Sequence, residues 1–185
     1  MNAPFYIISD NHFMMKDTSS EQERRNKLFK VFETIKLKKE GTLIIGGDFF
    51  DFWFEGKDVI PKGYKNLINS LYDLSQAGIE IHYLAGNHDY WNFGYLEKHA
   101  NIKFHKGNLK FTNNGKTILI THGDGLLKND YGYRFMKKII RSSIFIKLFK
   151  FLPPKISYSL ANKLSKSSSD YNHNDKFVDI IMRDI

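Results

Sequence analysis

The 185-residue sequence contains no cysteine. This absence excludes disulfide bonds and thiolate metal ligands, and it is typical of proteins in the reducing cytosol. The first residues run directly into an apolar segment that begins at Phe5, so we expect no secretory signal and a cytoplasmic location. With 42% hydrophobic and 15% aromatic residues, the chain has enough apolar side chains for the core of one domain.

The sequence also lacks an apolar run long enough to cross a membrane. The longest such run, near Ile144, is interrupted by Lys147 and Lys150. Charged residues at that spacing exclude a transmembrane helix, which needs about 20 predominantly apolar residues. Any contact with a membrane is therefore expected to be peripheral.

Acidic residues are nearly absent between Lys128 and Lys166, where ten Lys and Arg accompany the single acid Asp130. Bulky apolar residues are interleaved with them, including Phe145, Ile146, Phe149 and Leu152. This pattern predicts an amphipathic segment that contacts the anionic inner face of the cytoplasmic membrane. The alternative is a two-helix cap whose apolar side packs on the core while its lysines are solvated. Nucleic acid is not expected, because no stacking platform or known binding module accompanies the basic residues.

Short apolar runs alternate with longer amphipathic ones, which predicts an α/β core. Gly41 and Gly78 end two of the predicted helices, and Ser19 or Ser20 is expected to cap the first. The Asn113-to-Lys116 segment is a hairpin signal. The predicted strands are 5–9, 42–46, 80–85, 102–105, 109–112 and 117–121, and the predicted helices are 21–39, 61–76 and 93–99.

Clusters of potential metal ligands follow four of the predicted strands. They are Asp10-Asn11-His12, Gly46-Gly47-Asp48 with Asp51 close behind, Gly86-Asn87-His88-Asp89, and Thr121-His122-Gly123-Asp124. Each cluster alone is weak evidence, because a strand-end Asp or Asn is usually a turn former or a helix cap. In open α/β sheets, however, ligands bind at the carboxyl ends of the strands. We therefore expect the four clusters to share one cleft.

The donors in these clusters are carboxylate, imidazole and amide groups, which suit divalent ions such as Mn²⁺, Fe²⁺ or Zn²⁺. The carboxylate of Asp48 could bridge two ions, because it has two oxygens to share. Two metals about 3.5–4 Å apart form a clamp for in-line displacement at phosphorus. The sequence thus favours phosphate ester or anhydride chemistry.

The ordered clusters resemble those of the calcineurin-like metallophosphoesterase superfamily. Longer stretches are similar to one branch of it, the UDP-2,3-diacylglucosamine diphosphatases of lipid A biosynthesis, and the stretch from Asp48 to Glu55 is specific to that branch. The resemblance covers nearly the whole chain. The matching stretches are Ser9-Asp10-Asn11-His12, Gly47-Asp48-Phe49-Phe50-Asp51-Phe52-Trp53-Phe54-Glu55, Pro61-Lys62-Gly63-Tyr64, Gly86-Asn87-His88-Asp89, His122-Gly123-Asp124-Gly125 and Gly132-Tyr133.

The resemblance implies a metallophosphoesterase-type β-sandwich flanked by helices, with a helical insertion cap. The implied domains are a core at 1–128, a basic and apolar cap at 129–175, and the start of a core helix at 176–185. The implied cofactor is a pair of divalent ions, taken to be Mn²⁺. One ion would be held by Asp10, His12 and Asp48, and the other by Asp48, Asn87 and His122.

The resemblance also implies catalytic roles for His88 and Asn87, with His88 stabilising phosphate charge or donating a proton. We expect Asp89 to fix the tautomer of His88, and Asp124 or Thr121 to orient His122. Substrate contacts are implied for Asn87, His88, Asp130, Ser168 and Asn172.

The implied reaction is hydrolysis of the pyrophosphate bond of UDP-2,3-diacylglucosamine to UMP and 2,3-diacylglucosamine 1-phosphate. Phe145, Ile146, Phe149 and Leu152 would then approach the acyl chains. The implied partners are this lipid-linked sugar nucleotide and the membrane surface, with no protein partner indicated.

The chain departs from the superfamily in lacking a late Gly-His-x-His motif, which supplies one further ligand to each metal. It ends at Ile185, within a predicted helix, so we expect the last strands of the fold to be missing and metal binding and turnover to be weak. Two alternatives remain open. One is another calcineurin-like phosphoesterase that acts on nucleotides or phosphoproteins. The other is an inactive, shortened paralogue that binds lipid surfaces.

Overall fold

A computed structural model describes residues 1–55, 62–124, 131–152 and Ile156. These residues belong to two compact units. The first contains the described residues up to His122, and the second contains those from Gly123 onward. The predicted domain boundaries at 128/129 and 175/176 stay predictions, and both lie outside the described residues.

The first unit contains a four-stranded sheet, a two-stranded hairpin and three helices. In chain order these elements are β1 (Phe5–Ile8), α1 (Ser19–Lys36), β2 (Thr42–Ile45), a 3₁₀ turn (Lys62–Tyr64), α2 (Lys65–Gln76), β3 (Glu80–Leu84), α3 (Tyr95–Ala100), β4 (Lys103–His105), β5 (Leu109–Asn113) and β6 (Lys116–Ile120). The second unit contains α4 (Tyr131–Ile140) and α5 (Ser143–Lys150). The predicted α/β fold is confirmed.

The four-stranded sheet has the order β1-β2-β3-β4, and all its neighbouring strands are parallel. Parallel neighbours need a crossover connection, which α1, α2 and α3 provide in turn. As a result, the carboxyl ends of all four strands lie at one edge of the sheet. This edge is where the structure places three of the four predicted ligand clusters.

The central strands β2 and β3 are buried on both faces, and their side chains alternate between the faces as the period of a β-strand requires. Leu43 and Ile45 of β2 belong to the main core, together with residues of α1, α2 and α3. Ile44 lies between them in sequence and packs with Leu84 of β3 and Leu109 of the hairpin. The sheet is therefore a middle layer, with helices on one face and the β5–β6 hairpin on the other.

The helix ends differ from the predicted ones by a few residues. The N-cap of α1 is Thr18, whose hydroxyl accepts a hydrogen bond from the Glu21 amide at 3.3 Å. The prediction that Ser19 or Ser20 is the cap is therefore wrong. The prediction for α2 is confirmed at its end, where Gly78 follows the helix with φ of +96°, a conformation that glycine adopts without steric cost.

The helices α4 and α5 of the second unit carry exposed apolar side chains. Phe135 of α4 and Ile144 and Leu148 of α5 are among them, whereas Phe149 is buried. The side-chain hydroxyl of Ser142 caps α5 by accepting from the Phe145 amide at 3.3 Å. Within the part of the chain that the structure describes, no helix combines the length and apolar character needed to span a bilayer.

Candidate metal centre

The predicted ligand clusters converge on the buried carboxylate of Asp48, which follows β2. Its Oδ2 lies 3.3 Å from Nε2 of His122 and 3.8 Å from Nε2 of His12. Its Oδ1 accepts a hydrogen bond from the His88 amide at 2.9 Å. Asp48 thus faces residues that follow β1, β3 and β6 as well as its own strand.

Two groups of donor atoms are close enough to hold metal ions. Asp10, Asp48 and His122 each offer one atom, and these atoms all lie within 4.8 Å of one another. His12, Asp51 and His88 form a second such group. In addition, Oδ1 of Asn87 lies 3.2 Å from Nε2 of His122. The structure therefore brings Asp10, His12, Asp48, Asn87 and His122 together, and their role as ligands stays a prediction.

Two members of these groups are absent from the predicted ligand set. They are His88, which was predicted to be catalytic, and Asp51. The only sequence signal of Asp51 is its position three residues after Asp48, which is ordinary for a turn residue. The aromatic residues around it are part of the core, since Phe49, Phe50 and Trp53 are fully buried. These buried aromatic side chains therefore anchor in the core the loop that carries Asp48 and Asp51.

Two glycines lie so close to the site residues that no larger side chain fits at their positions. A Cβ on Gly47 would lie 2.5 Å from Nδ1 of His122, and a Cβ on Gly86 would lie 2.0 Å from Oδ1 of Asp48. Real Cβ atoms do not approach other atoms so closely. Only glycine at these positions lets the strand ends come together around the carboxylate.

Three of the converging residues have a left-handed backbone. Asp10, His12 and Asp48 have φ of +51°, +45° and +50°, a region that non-glycine residues rarely adopt. Such conformations persist where the surrounding structure enforces them, and they are concentrated at functional sites. Here Asp10 and His12 lie in the loop after β1 and Asp48 lies in the loop after β2, so this strained conformation occurs in both of the loops that meet at the site.

The electrostatics favour the protonation states that bind metal. Burial would raise the pKa of Asp48, but the hydrogen bond and charge of His122, together with His88, outweigh it and the pKa is lowered. Burial lowers the pKa of His12, and the opposing charge of Asp48 does not restore it. An ionised carboxylate and a neutral imidazole are the forms that donate to a cation.

In two of the three site imidazoles, His88 and His122, the Nδ1 nitrogen is held by a backbone carbonyl. Nδ1 of His88 lies 2.6 Å from the carbonyl oxygen of Asp51, and Nδ1 of His122 lies 3.0 Å from that of Gly46. The expectation that Asp89 fixes the His88 tautomer is therefore corrected, and Gly46 takes the orienting role expected of Asp124 or Thr121. In both rings Nδ1 donates to the carbonyl, and Nε2 is left to face the site.

Asp89 has a structural role beneath the site. Its carboxylate accepts hydrogen bonds from the Phe49 amide at 2.9 Å, the Gly86 amide at 2.7 Å and the Tyr83 hydroxyl at 2.5 Å. Burial and the charge of Asp48 raise its pKa to about 6. Asp89 therefore ties the loop after β2 to the loop after β3.

Comparison with known proteins agrees with this arrangement. The family model described as calcineurin-like phosphoesterase matches residues 3–183. The chain belongs to the calcineurin-like phosphoesterase family. This is a family of hydrolases that use a pair of divalent metal ions, so the convergence of oxygen and nitrogen donors around Asp48 lies where such a pair is needed.

Calcineurin-like phosphoesterases that resemble this chain include three proteins named UDP-2,3-diacylglucosamine hydrolase. The protein from Porphyromonas gingivalis is 28% identical over 91% of this chain and 64% of its own length. The Pseudomonas fluorescens protein is 29% identical over 88% and 63%, and the Histophilus somni protein is 28% identical over 96% and 77%. The chain thus spans less than two-thirds of the length of the first two relatives.

The donor set of this calcineurin-like phosphoesterase fits a divalent pair by its chemistry. It combines carboxylate oxygens, imidazole nitrogens and one neutral amide oxygen, which is the mixture that borderline-hard ions bind. The central carboxylate of Asp48 lies between two imidazoles, as a shared ligand must.

The predicted substrate residues Asp130, Ser168 and Asn172 lie outside the described residues, so their roles stay predictions. In the second unit, the carboxylate of Asp124 forms ion pairs with Lys137 at 2.7 Å and Arg141 at 2.9 Å. These pairs join Asp124 to Lys137 of α4 and to Arg141, which follows α4.

Proposed function

We propose that this protein hydrolyses the pyrophosphate bond of UDP-2,3-diacylglucosamine to UMP and 2,3-diacylglucosamine 1-phosphate. The observation that carries the proposal is the buried Asp48 carboxylate between His12 and His122, in a chain whose relatives bear that hydrolase name. In the reaction, the oxygen of one water bonds to one phosphorus. The bridging oxygen leaves with its electron pair on the other phosphate, and the protons of the water pass to the products or to solvent.

We assign the divalent pair to Asp10, His12, Asp48, Asn87 and His122, with Asp48 shared. Mn²⁺ is the ion proposed, because mixed oxygen and nitrogen donors suit it. When bound, the ions supply Lewis acidity that neutralises phosphate charge and lowers the pKa of a water. The amide of Asn87 contributes a donor without adding negative charge, and this keeps the site attractive to phosphate.

His88 is proposed to act on the phosphate directly. The hydrogen bond between its Nδ1 and the Asp51 carbonyl fixes the tautomer and the ring orientation. The ring also packs edge-on against His12, with centroids 4.6 Å apart. Once protonated, Nε2 would stabilise phosphate charge or donate a proton to the leaving oxygen.

The second unit is proposed to contact acyl chains and the membrane surface. Exposed apolar residues recur at helical spacing in both of its helices: Tyr131, Phe135 and Ile139 in α4, and Ile144 and Leu148 in α5, with Phe151 at the C-cap of α5. The described part of this unit also carries several lysines and arginines. Apolar side chains flanked by basic ones favour binding to anionic lipid, and this supports a peripheral location on the inner face of the membrane.

UMP release from UDP-2,3-diacylglucosamine with Mn²⁺ tests the proposal. UDP-N-acetylglucosamine is the control without acyl chains, and bis-p-nitrophenyl phosphate is the generic diester. We expect UMP from the diacylated substrate alone. Turnover of the aryl diester without the sugar nucleotide would indicate another phosphoesterase. A vesicle-binding measurement tests the remaining alternative. If the protein binds anionic vesicles but hydrolyses none of the three substrates, it is an inactive lipid-surface protein.

A further inference from the structure

The loop that follows β1 carries two of the proposed metal ligands in an unfavourable backbone conformation. Both Asp10 and His12 are left-handed, with φ of +51° and +45°. Neither residue is a glycine, so the loop relaxes unless other parts of the structure hold it. The positions of both side chains therefore depend on what restrains residues 10–14.

One edge of this loop pairs with the loop after β2. The His12 amide donates to the Asp48 carbonyl at 2.9 Å, and the Phe13 amide donates to the Phe49 carbonyl at 3.0 Å. The Asp51 amide returns a hydrogen bond to the Phe13 carbonyl at 2.9 Å. These bonds use the amides of His12 and Phe13 and the carbonyl of Phe13. The carbonyls of Asn11, His12 and Met14 are bound elsewhere.

Two neighbouring arginines of α1 bind those carbonyls. Arg24 donates to the carbonyl of Asn11 and reaches that of His12 at 3.5 Å. Arg25 donates to the carbonyl of Met14 and, at 2.9 Å, to that of Gly63. A guanidinium has a planar fork of donors, so one side chain can hold two acceptors at once.

A buried carboxylate fixes both arginines. The side chain of Glu21 is fully buried, and its oxygens lie 2.9 Å from Nη1 of Arg24 and 3.1 Å from Nε of Arg25. Glu21 also accepts from the Met14 amide at 3.1 Å. A charge is tolerated at such a depth only when it is paired and hydrogen-bonded, and here every partner is either the loop itself or an arginine that holds the loop.

We propose that Glu21, Arg24 and Arg25 form a positioning clamp that holds the loop of Asp10 and His12 in its metal-binding conformation. This inference has two halves: the loop-holding half is that the clamp restrains the loop, and the metal half is that the restrained loop binds metal. Only the metal half rests on the proposed function. The same helix offers a matched comparison in Glu23 and Lys27, which form an ion pair at 2.8 Å with both side chains largely exposed. That pair has the same charges, and its contact lies within α1 between two exposed side chains.

The loop-holding half is tested by hydrogen exchange on metal-free protein. Arg24→Met is the main variant, because the Arg24 side chain is 44% exposed and its loss leaves no cavity in the core. We expect about tenfold faster exchange in the peptide covering residues 11–14, with α2 and β3 unchanged. Lys27→Met is expected to match the wild type. Arg24→Lys is expected to be intermediate, because an ammonium cannot reproduce the fork.

The metal half is tested by calorimetric titration of the metal-stripped proteins with Mn²⁺. We expect Arg24→Met to weaken Mn²⁺ binding by about 10–100-fold, the range for residues that orient ligands. Asp10 belongs to one group of donor atoms and His12 to the other, so displacing their loop should affect both ions. Lys27→Met is expected to bind Mn²⁺ as the wild type does, and unchanged exchange in α2 and β3 of Arg24→Met separates a positioning role from a general loss of stability.

Each outcome decides between the two proposals. The clamp is overturned if Arg24→Met and Lys27→Met show equal hydrogen exchange and equal Mn²⁺ affinity. It is also overturned if exchange in Arg24→Met is faster over the whole chain. If the wild type binds no Mn²⁺, the proposed function fails, and the exchange comparison still decides whether the clamp holds the loop.

Discussion

Gly86 and Asp48 fit together only because glycine has no side chain. A Cβ on Gly86 would lie 2.0 Å from Oδ1 of Asp48 and 2.7 Å from its backbone nitrogen. The carboxylate at the centre of the site is thus placed by a residue that contributes no functional group. This contact joins the end of β3 to the end of β2.

Replacing Gly86 with alanine is expected to displace Asp48, because the clash includes backbone and cannot be relieved by a rotamer change. Mn²⁺ binding should be lost, and the free energy of unfolding should fall by about 1–3 kcal/mol. Metal titration and urea unfolding measure the two effects. Gly107→Ala is the control, since a Cβ there meets nothing within 4 Å, and a similar loss in that variant would contradict the steric explanation.

Replacing His88 with asparagine is expected to lower kcat by about 10²–10⁴-fold while leaving Mn²⁺ content unchanged, because the ring acts on the phosphate as a proton donor or charge stabiliser. Steady-state UMP release and metal analysis of the same preparation test this. The control is His99→Asn, whose ring is exposed on α3, hydrogen-bonds the Tyr95 carbonyl and stacks on the Tyr95 ring. A fall in Mn²⁺ content would make His88 a ligand with Asp51 and His12 instead.

Asp89→Asn is expected to lower the free energy of unfolding by about 2–4 kcal/mol. Its carboxylate accepts from three donors, and an amide would present its own N–H groups to one of them in a fully buried place. Urea unfolding measures the loss. Tyr83→Phe, which removes one of the three donors, is expected to cost about 1–2 kcal/mol. Equal stability of Asp89→Asn and the wild type would refute the tethering role.

Glu80 is expected to make stability depend on acid pH. The Lys103 ammonium, with Nζ 2.5 Å from Oε1, lowers the pKa of Glu80 from its ordinary 4.5 to about 2. A lowered pKa in the folded state gives stability that is present above pH 4.5 and is lost as the pH falls toward 2.

For this partly exposed group we expect a loss of about 1 kcal/mol across that window. Glu80→Gln should flatten the dependence, whereas Glu33→Gln on the exposed side of α1 should not. Urea unfolding at several pH values from neutral to 3 measures the slopes. A slope in Glu80→Gln as steep as in the wild type would show that other groups produce it.

The sequence predicted the sheet well because its signals are local. Apolar runs of four or five residues with alternating faces, the Asn114-Gly115 turn and Gly78 after α2 each act within a few residues. The convergence of the clusters followed from a topological rule, since the carboxyl ends of parallel strands share one edge. His122 was the harder case, because β6 belongs to the hairpin and not to the parallel sheet.

The contacts that hold the site were not predictable in this way. The carbonyls of Gly46 and Asp51 hold His122 and His88 across 76 and 37 residues of sequence. Every residue has a carbonyl, so nothing in the residue types marks these two. The same holds for Glu21, whose position in the first turn of α1 is typical of a solvated helix-dipole charge.

The sequence by itself determined which chemical groups this protein brings to its strand ends, and in what order, because strand periodicity and residue type are properties of short segments. Tertiary structure alone decided which backbone oxygen fixes each imidazole, that Asp51 joins His12 and His88, and that Glu21 is buried beneath two arginines. Those outcomes depend on how distant segments pack to within a fraction of an ångström, and hydrogen bonds form or fail over that same distance.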